Sequence, residues 1–277
     1  MKAKTKVAIQ GKQGSFHHIV AQRYFGAQLD LLPCDTFDDT IQTLVDGESE
    51  QAVLAIENSI AGSIIPNYAL IDQNDLKIVG EYGLSIHHNL MGLSGQTIKD
   101  LKEVHSHPMA LLQCKNFFQQ HPHIRLVEAE DTAEEAQRIS KNQIKGIGAI
   151  ASQEAAELYQ LTVFATSIQT IKNNVTRFVI VQRKGDLVSK SQINKAALKF
   201  TLDHQRGSLA AVLNVMSDCQ LNLTKIQSLP VIETPGKYAF FVDVTFDDFT
   251  HYEKARKLIA IMASKFKILG EYAQHQR

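Results

Sequence analysis

The stretch Val175-Thr176-Arg177-Phe178-Val179-Ile180-Val181 is a β-branched apolar run with polar groups only at its start, and Ala52-Val53-Leu54-Ala55-Ile56 is a second, unbroken one. Runs of this composition are buried strands, the second of the kind covered on both faces, so the chain must build a sheet with other elements packed over it. Both runs border abruptly on polar residues: Glu57-Asn58-Ser59 follows one and Asn173-Asn174 precedes the other. A hydroxyl and a guanidinium beside an apolar strand need protein partners or a polar cleft to face. Arg177 therefore either braces the strand entrance in an ion pair or turns toward a ligand.

The rest of the chain alternates strands with helices, which makes the fold class α/β. It opens with a strand at Lys6–Gln10, a glycine loop Gly11-Lys12-Gln13-Gly14-Ser15-Phe16, and a helical run through Tyr24 and Phe25. Such a loop aims backbone N–H groups at whatever sits above the strand, although its spacing is neither the dinucleotide fingerprint nor the phosphate loop. Polar groups at strand ends line crevices in open α/β sheets, which singles out Asn58, and the bare backbone of Ala61-Gly62-Ser63 follows it. Lys77–Tyr82 and Leu84–His88 read as two strands or one bent strand broken at Gly83. Ser106 is placed as the N-cap of a helix carrying Pro108, with Gln113 two turns on, so that both face one cleft; a cap serine and a surface glutamine are the alternative. Thr132-Ala133-Glu134-Glu135 has the capping-box pattern, and Ser152 caps a further helix.

The polar stretch from Lys184 to Asn194, holding Gly185 and Asp186, reads as a linker. Beyond it the pattern predicts strand 196–202, helix 209–219, strand 223–229, a turn at Thr234-Pro235-Gly236, strand 238–245, helix 251–264 and strand 266–271, the βαββαβ order of a ferredoxin-like domain.

Charge and composition narrow the function. In 277 residues, 29 lysines and arginines balance 29 aspartates and glutamates, so no global field favours nucleic acid or an acidic membrane, and a small-molecule partner fits better. No apolar run approaches a membrane span, and the lysine-rich start is no signal-peptide core, which points to a cytoplasmic protein. Cys34, Cys114 and Cys219 are isolated and read as free thiols; the 11 histidines lack a ligand set at metal spacing, so no metal is expected.

Taken together, Gly11–Phe16 with His18 and Ala21, Ile56-Glu57-Asn58-Ser59 with Gly62-Ser63, Ser106-His107-Pro108 with Gln113-Cys114, Ala149–Ser152 with Ala155-Ala156 and Tyr159, and Asn174-Val175-Thr176-Arg177-Phe178 resemble the successive motifs of prephenate dehydratase. After the linker, Asn222-Leu223-Thr224-Lys225-Ile226 and the βαββαβ order resemble the ACT regulatory domain that follows it, and the whole resembles the monofunctional form. The resemblance implies a dehydratase domain over 1–183, the linker 184–194 and an ACT domain over 195–277. It also implies two lobes similar to type II periplasmic binding proteins with the site in the cleft between them.

The reaction implied is conversion of prephenate to phenylpyruvate with loss of carbon dioxide and water, without a cofactor. Asn58, Ser106, Gln113 and Thr176 match the family's catalytic or binding positions, with Thr176 foremost. Gly14, Ser15, Ser63, Arg177 and Phe178 are the substrate-binding candidates. Arogenate dehydratase and a non-catalytic sensor of aromatic metabolites are the alternatives. ACT modules pair, so a homodimer or homotetramer is implied, with L-phenylalanine as regulator at Gly207, Ser208, Leu209, Asn222, Leu223, Gln227 and Ser228. Here the chain departs from the family pattern: Gln227 stands where a glutamate is common and Leu229 where an arginine is.

Overall fold

The computed structural model describes residues 4–184, 189–203, 205–231, 234 and 237–274. Residues 185–188 of the expected linker, and Pro235 and Gly236 of the expected turn, lie outside them. The described elements, in order, are β1 (Thr5–Gln10), α1 (Phe16–Phe25), β2 (Leu29–Cys34), α2 (Phe37–Asp46), β3 (Gln51–Asn58), β4 (Gly62–Ser63), α3 (Ile65–Gln73), β5 (Lys77–Ser85), β6 (Asn89–Gly92), β7 (Glu103–Ser106), α4 (Pro108–Gln113), α5 (Lys115–Phe118), β8 (Arg125–Glu128), α6 (Thr132–Lys141), β9 (Ile147–Ala151), α7 (Gln153–Leu158), β10 (Thr162–Ala165) and β11 (Val175–Gln182). There follow β12 (Lys195–Leu202), α8 (Ser208–Asp218), β13 (Asn222–Pro230), β14 (Tyr238–Thr245), α9 (Phe249–Met262) and β15 (Lys265–Tyr272). They form two compact units, one of residues 1–64 and 82–178, the other of 65–81 and 179–277. No helix among the described residues is long and apolar enough to cross a membrane.

The first unit holds two sheets, the two lobes implied by the resemblance. One runs β11–β3–β1–β2, parallel at β1–β2 and β1–β3. The other runs β10–β6–β9–β7–β8, with β7 parallel to both β8 and β9. Local chemistry sets the helix starts. Thr36 caps α2 by accepting the Asp39 N–H, and Asp131 caps α6 by accepting that of Glu134. The cap of α6 is thus one residue earlier than the capping-box pattern placed it, because a carboxylate is as good a cap as a hydroxyl and charge-assisted. The predicted N-cap at Ser106 is likewise corrected. Ser106 ends β7, and proline at 108 forces His107 into extended backbone (ψ 140°), so His107 becomes the cap.

His17 on α1 is buried among the edges of Phe37 and Phe178, where its Nε2 accepts the Ala55 N–H at 3.3 Å. Burial pushes its pKa down to about 3. The sign follows: below the ordinary histidine value of about 6.5 the unfolded chain takes a proton that the folded one refuses, so stability present above that value is lost as pH falls toward 3. In urea titrations between pH 7 and pH 5, unfolding free energy is expected to fall, and His17→Leu to reduce that slope by about 1 kcal/mol per pH unit on average, approaching the one-proton limit of about 1.4 near pH 5. An unchanged slope in the variant would refute the assignment.

The second unit has the predicted βαββαβ order, with the sheet β13–β14–β12–β15 antiparallel throughout. Ala196, Leu198, Phe200 and Leu202 of β12 face one core with Val212 and Met216 of α8 and Tyr252, Ala255 and Ile259 of α9. The alternate residues Lys195 and Lys199 face the other way and meet Glu81 and Asp72. This explains why residues 65–81 join the unit. Tyr68 of α3 packs 5.4 Å from Phe241, and β5 lies parallel to β15 at Gly270–Ile78. A Cβ at Gly270 would stand 2.2 Å from the Ile78 carbonyl oxygen, so only glycine permits that approach.

Candidate active site

The polar ends of β3 and β11 meet in the first unit. Ser59 N–H donates to the Val175 carbonyl at 2.8 Å and Val175 N–H to Ser59 Oγ at 2.9 Å, which holds Asn58 beside Thr176. Asn58 Oδ1 accepts the N–H groups of Ile60 and Ala61 at 3.0 and 2.9 Å. Its Nδ2 donates to Thr176 Oγ1 at 2.9 Å and to Asn174 Oδ1 at 2.7 Å. Asn174 Nδ2 in turn donates to Gln113 Oε1 at 2.9 Å, and the same oxygen lies 3.0 Å from His88 Nε2. One hydrogen-bonded chain thus joins β3, β11, α4 and the segment after β5.

Backbone N–H groups only donate, so the pair on Asn58 Oδ1 fixes the direction of every amide along the chain. Among the described residues, Asn58 is the one hydrogen-bonding partner of the Thr176 hydroxyl, which accepts and keeps its own proton to give. The Gln113 NH₂ likewise keeps its donors. What the site offers a bound molecule is therefore donors, suited to an anion or an oxygen on which negative charge develops.

Of the residues proposed from sequence, Asn58, Gln113 and Thr176 stand in this chain. Ser106 does not: it is fully buried, and its hydroxyl donates to the Ile150 carbonyl at 2.7 Å, tying β7 to β9. Gly14, a substrate-binding candidate, donates its N–H to His18 Nδ1 at 2.9 Å, and its carbonyl accepts from Ser152. Ser15 is buried and caps α1, its Oγ accepting from His18 N–H. Ser63 pairs with Glu57 in the short β4. Phe178 is 1% exposed and packs on His17 in the core. Arg177 Nε lies 3.4 Å from Glu57, the bracing alternative, because side chains alternate along β11 and Arg177 points away from Thr176.

Two members of the chain, Asn174 and His88, were not among the proposed site residues. The signal for Asn174 was its polar pair directly before an apolar strand; for His88, its place at the polar end of another. Cys114, beside Gln113, is buried and its thiol is pushed up to about 12, which makes it inert. Among the described residues no group of three histidine, cysteine or acidic side chains is placed to hold a metal.

The family model for prephenate dehydratase matches residues 7–186. The chain belongs to the prephenate dehydratase family. The arogenate dehydratase/prephenate dehydratase 2 of Arabidopsis thaliana, named as chloroplastic, is 33% identical over 98% of this chain and 73% of its own. A prephenate dehydratase from Arthrobacter aurescens, solved in complex with L-Phe, superposes with a TM-score of 0.87 at 26% identity, over 97% of this chain and 90% of that one. GqqA, described as a novel type of quorum quenching acylase, superposes with a TM-score of 0.86 at 28% identity, over 98% of each chain. These likenesses establish the fold: a two-lobed, periplasmic-binding-protein-like α/β domain with an ACT-like βαββαβ domain.

Proposed function

We propose that this site catalyses the decarboxylating dehydration of prephenate to phenylpyruvate. The observation that carries the reading is the Asn58–Thr176 pair, which turns a hydroxyl proton outward from a fixed oxygen. In this reaction the ring carboxylate leaves as carbon dioxide, its electron pair enters the ring, and the C4 hydroxyl departs and takes up a proton to become water. Aromatisation drives the step. The group that needs help is the leaving oxygen, and a positioned donor stabilises its growing charge. Threonine is too weak an acid to protonate it fully, so Thr176 acts as a hydrogen-bond donor while Gln113 and Asn58 hold the ligand and the threonine in register. An acylase would need a nucleophile beside a base, and the Thr176 hydroxyl is paired with an amide instead.

Incubating the protein with prephenate and no added cofactor is expected to yield phenylpyruvate, and arogenate run in parallel decides between the two substrates. Binding without turnover would return the sensor reading. The cytoplasmic location and a homodimer or homotetramer belong to the same proposal; Leu258, Ile261 and Met262 are exposed along α9, apolar surface of the sort a second copy covers.

Regulation by L-phenylalanine is the second half of the proposal. Gly207, at φ +82°, leads into α8 with no side-chain cap, Asn222 opens β13 with its side chain exposed, and Gln227 Nε2 donates to the Ser228 carbonyl. Ser208 and Leu209 open α8, and Leu223 packs on the core below. With Gln227 uncharged and Leu229 lacking a guanidinium, the ligand distinguishes the two states less well. Phenylalanine is expected to bind and inhibit more weakly than in relatives with both charges, and Leu229→Arg to strengthen inhibition. Calorimetry showing no binding, or inhibition unmoved by Leu229→Arg, would contradict this.

A further inference from the structure

We propose that His88 is a positioning residue for this reaction, acting through Gln113 to keep its amide donors turned toward the substrate; the proposal rests on the dehydratase reading. Because Gln113 Oε1 already accepts from Asn174, the ring nitrogen 3.0 Å away must also be a donor, which makes His88 the Nε2–H tautomer. The other nitrogen agrees. His88 Nδ1 is buried and has no hydrogen-bonding partner among the described residues, and a proton there would leave a buried N–H without an acceptor.

The opposite tautomer would set two lone pairs against each other across 3.0 Å. Flipping the Gln113 amide to relieve that clash would turn its NH₂ onto the NH₂ of Asn174. The amide is therefore locked from both sides, by Asn174 and by His88, and its two N–H donors are left for an acceptor oxygen on the ligand.

The ring is itself held. His88 is 4% exposed, its backbone N–H donates to Gln169 Oε1 at 3.0 Å, its carbonyl accepts from Ile168, and the Phe16 ring meets it edge-on at 5.7 Å. Burial also pushes its pKa down to about 4, so it stays neutral at working pH.

Three readouts test this on the full chain. Long-range ¹⁵N–¹H spectra are expected to show His88 protonated at Nε2; protonation at Nδ1 overturns the inference whether or not prephenate is turned over. His88→Leu is expected to lower kcat/KM by about tenfold or more, the loss from removing one of the two donors that hold Gln113 Oε1, while His88→Gln, which returns an N–H near the position of Nε2, stays within about threefold of wild type. In the Gln113→Ala background, His88→Leu is expected to cost less than about threefold further, since a group acting through Gln113 has nothing left to orient. Losses that multiply in the double variant, or His88→Gln as damaging as His88→Leu, overturn the proposal. If His88→Leu does not fold, His88→Gln alone and in the Gln113→Ala background decides. A wild type inactive on prephenate would sink the dehydratase reading and leave the tautomer spectrum to judge His88.

Discussion

Thr176→Ala is expected to lower kcat by about a hundredfold or more while leaving the fold intact, the scale of loss seen when a donor aimed at developing charge is removed. The residue is 8% exposed and contributes no large apolar surface, so the change is small in volume. Its effect falls on chemistry because Oγ1 accepts from Asn58 at 2.9 Å and can only donate outward. Thr176→Ser, which keeps the hydroxyl, is expected to retain much more activity than Thr176→Val, which keeps the shape. Asn58→Ala removes the group that aims the hydroxyl and binds the Ile60 and Ala61 amides, so it should raise KM as well as lower kcat. Near-normal kcat in Thr176→Ala, with circular dichroism matching wild type, would sink the assignment.

Lys195→Met is expected to destabilise the second unit by about 3–5 kcal/mol, the usual cost of breaking a buried ion pair by removing one partner. Lys195 Nζ lies 2.9 and 2.8 Å from the two oxygens of Glu81, with the residues 4% and 5% exposed. The hydroxyl of Tyr272, itself fully buried, is 3.3 Å from the same carboxylate. Removing the lysine takes the cation from that carboxylate in a buried site, whereas Lys195→Met with Glu81→Gln removes both charges and should recover a good part of the loss. Urea unfolding of the two variants measures this; a loss under about 1 kcal/mol for the single variant would mean the pair is solvated. Glu81 is the last residue of β5 before the chain passes into the first unit, so the same variants should also be assayed for phenylalanine response.

What the sequence made legible depended on range. The βαββαβ order was readable because each of its strands and helices carries its own period and stop signal. The first unit's β2 and α2 were missed: Leu29-Asp30-Leu31-Leu32-Pro33-Cys34 contains a proline, tolerated because β2 is an edge strand paired only with β1 among the described residues. The membership of residues 65–81 in the second unit was not visible, since it rests on Gly270, Phe241, Lys195 and Lys199, all more than 100 positions away. Strand-end logic pointed to Asn58 and Thr176, and helical spacing to Gln113, three residues that stand in one hydrogen-bonded chain. The same spacing was misleading at Ser106, whose hydroxyl is spent on a carbonyl of β9. The direction of the amides, which decides what the site can bind, depends on Ile60, Ala61, Asn174 and His88 acting together, and no local pattern reports it.

The most direct test of the account is a product balance on the unmodified chain given prephenate and no added cofactor. Carbon dioxide and phenylpyruvate are expected to appear together, one of each per prephenate consumed, at a rate that Thr176→Val abolishes almost entirely. Prephenate that binds and is recovered unchanged, or turnover that survives Thr176→Val, would contradict it.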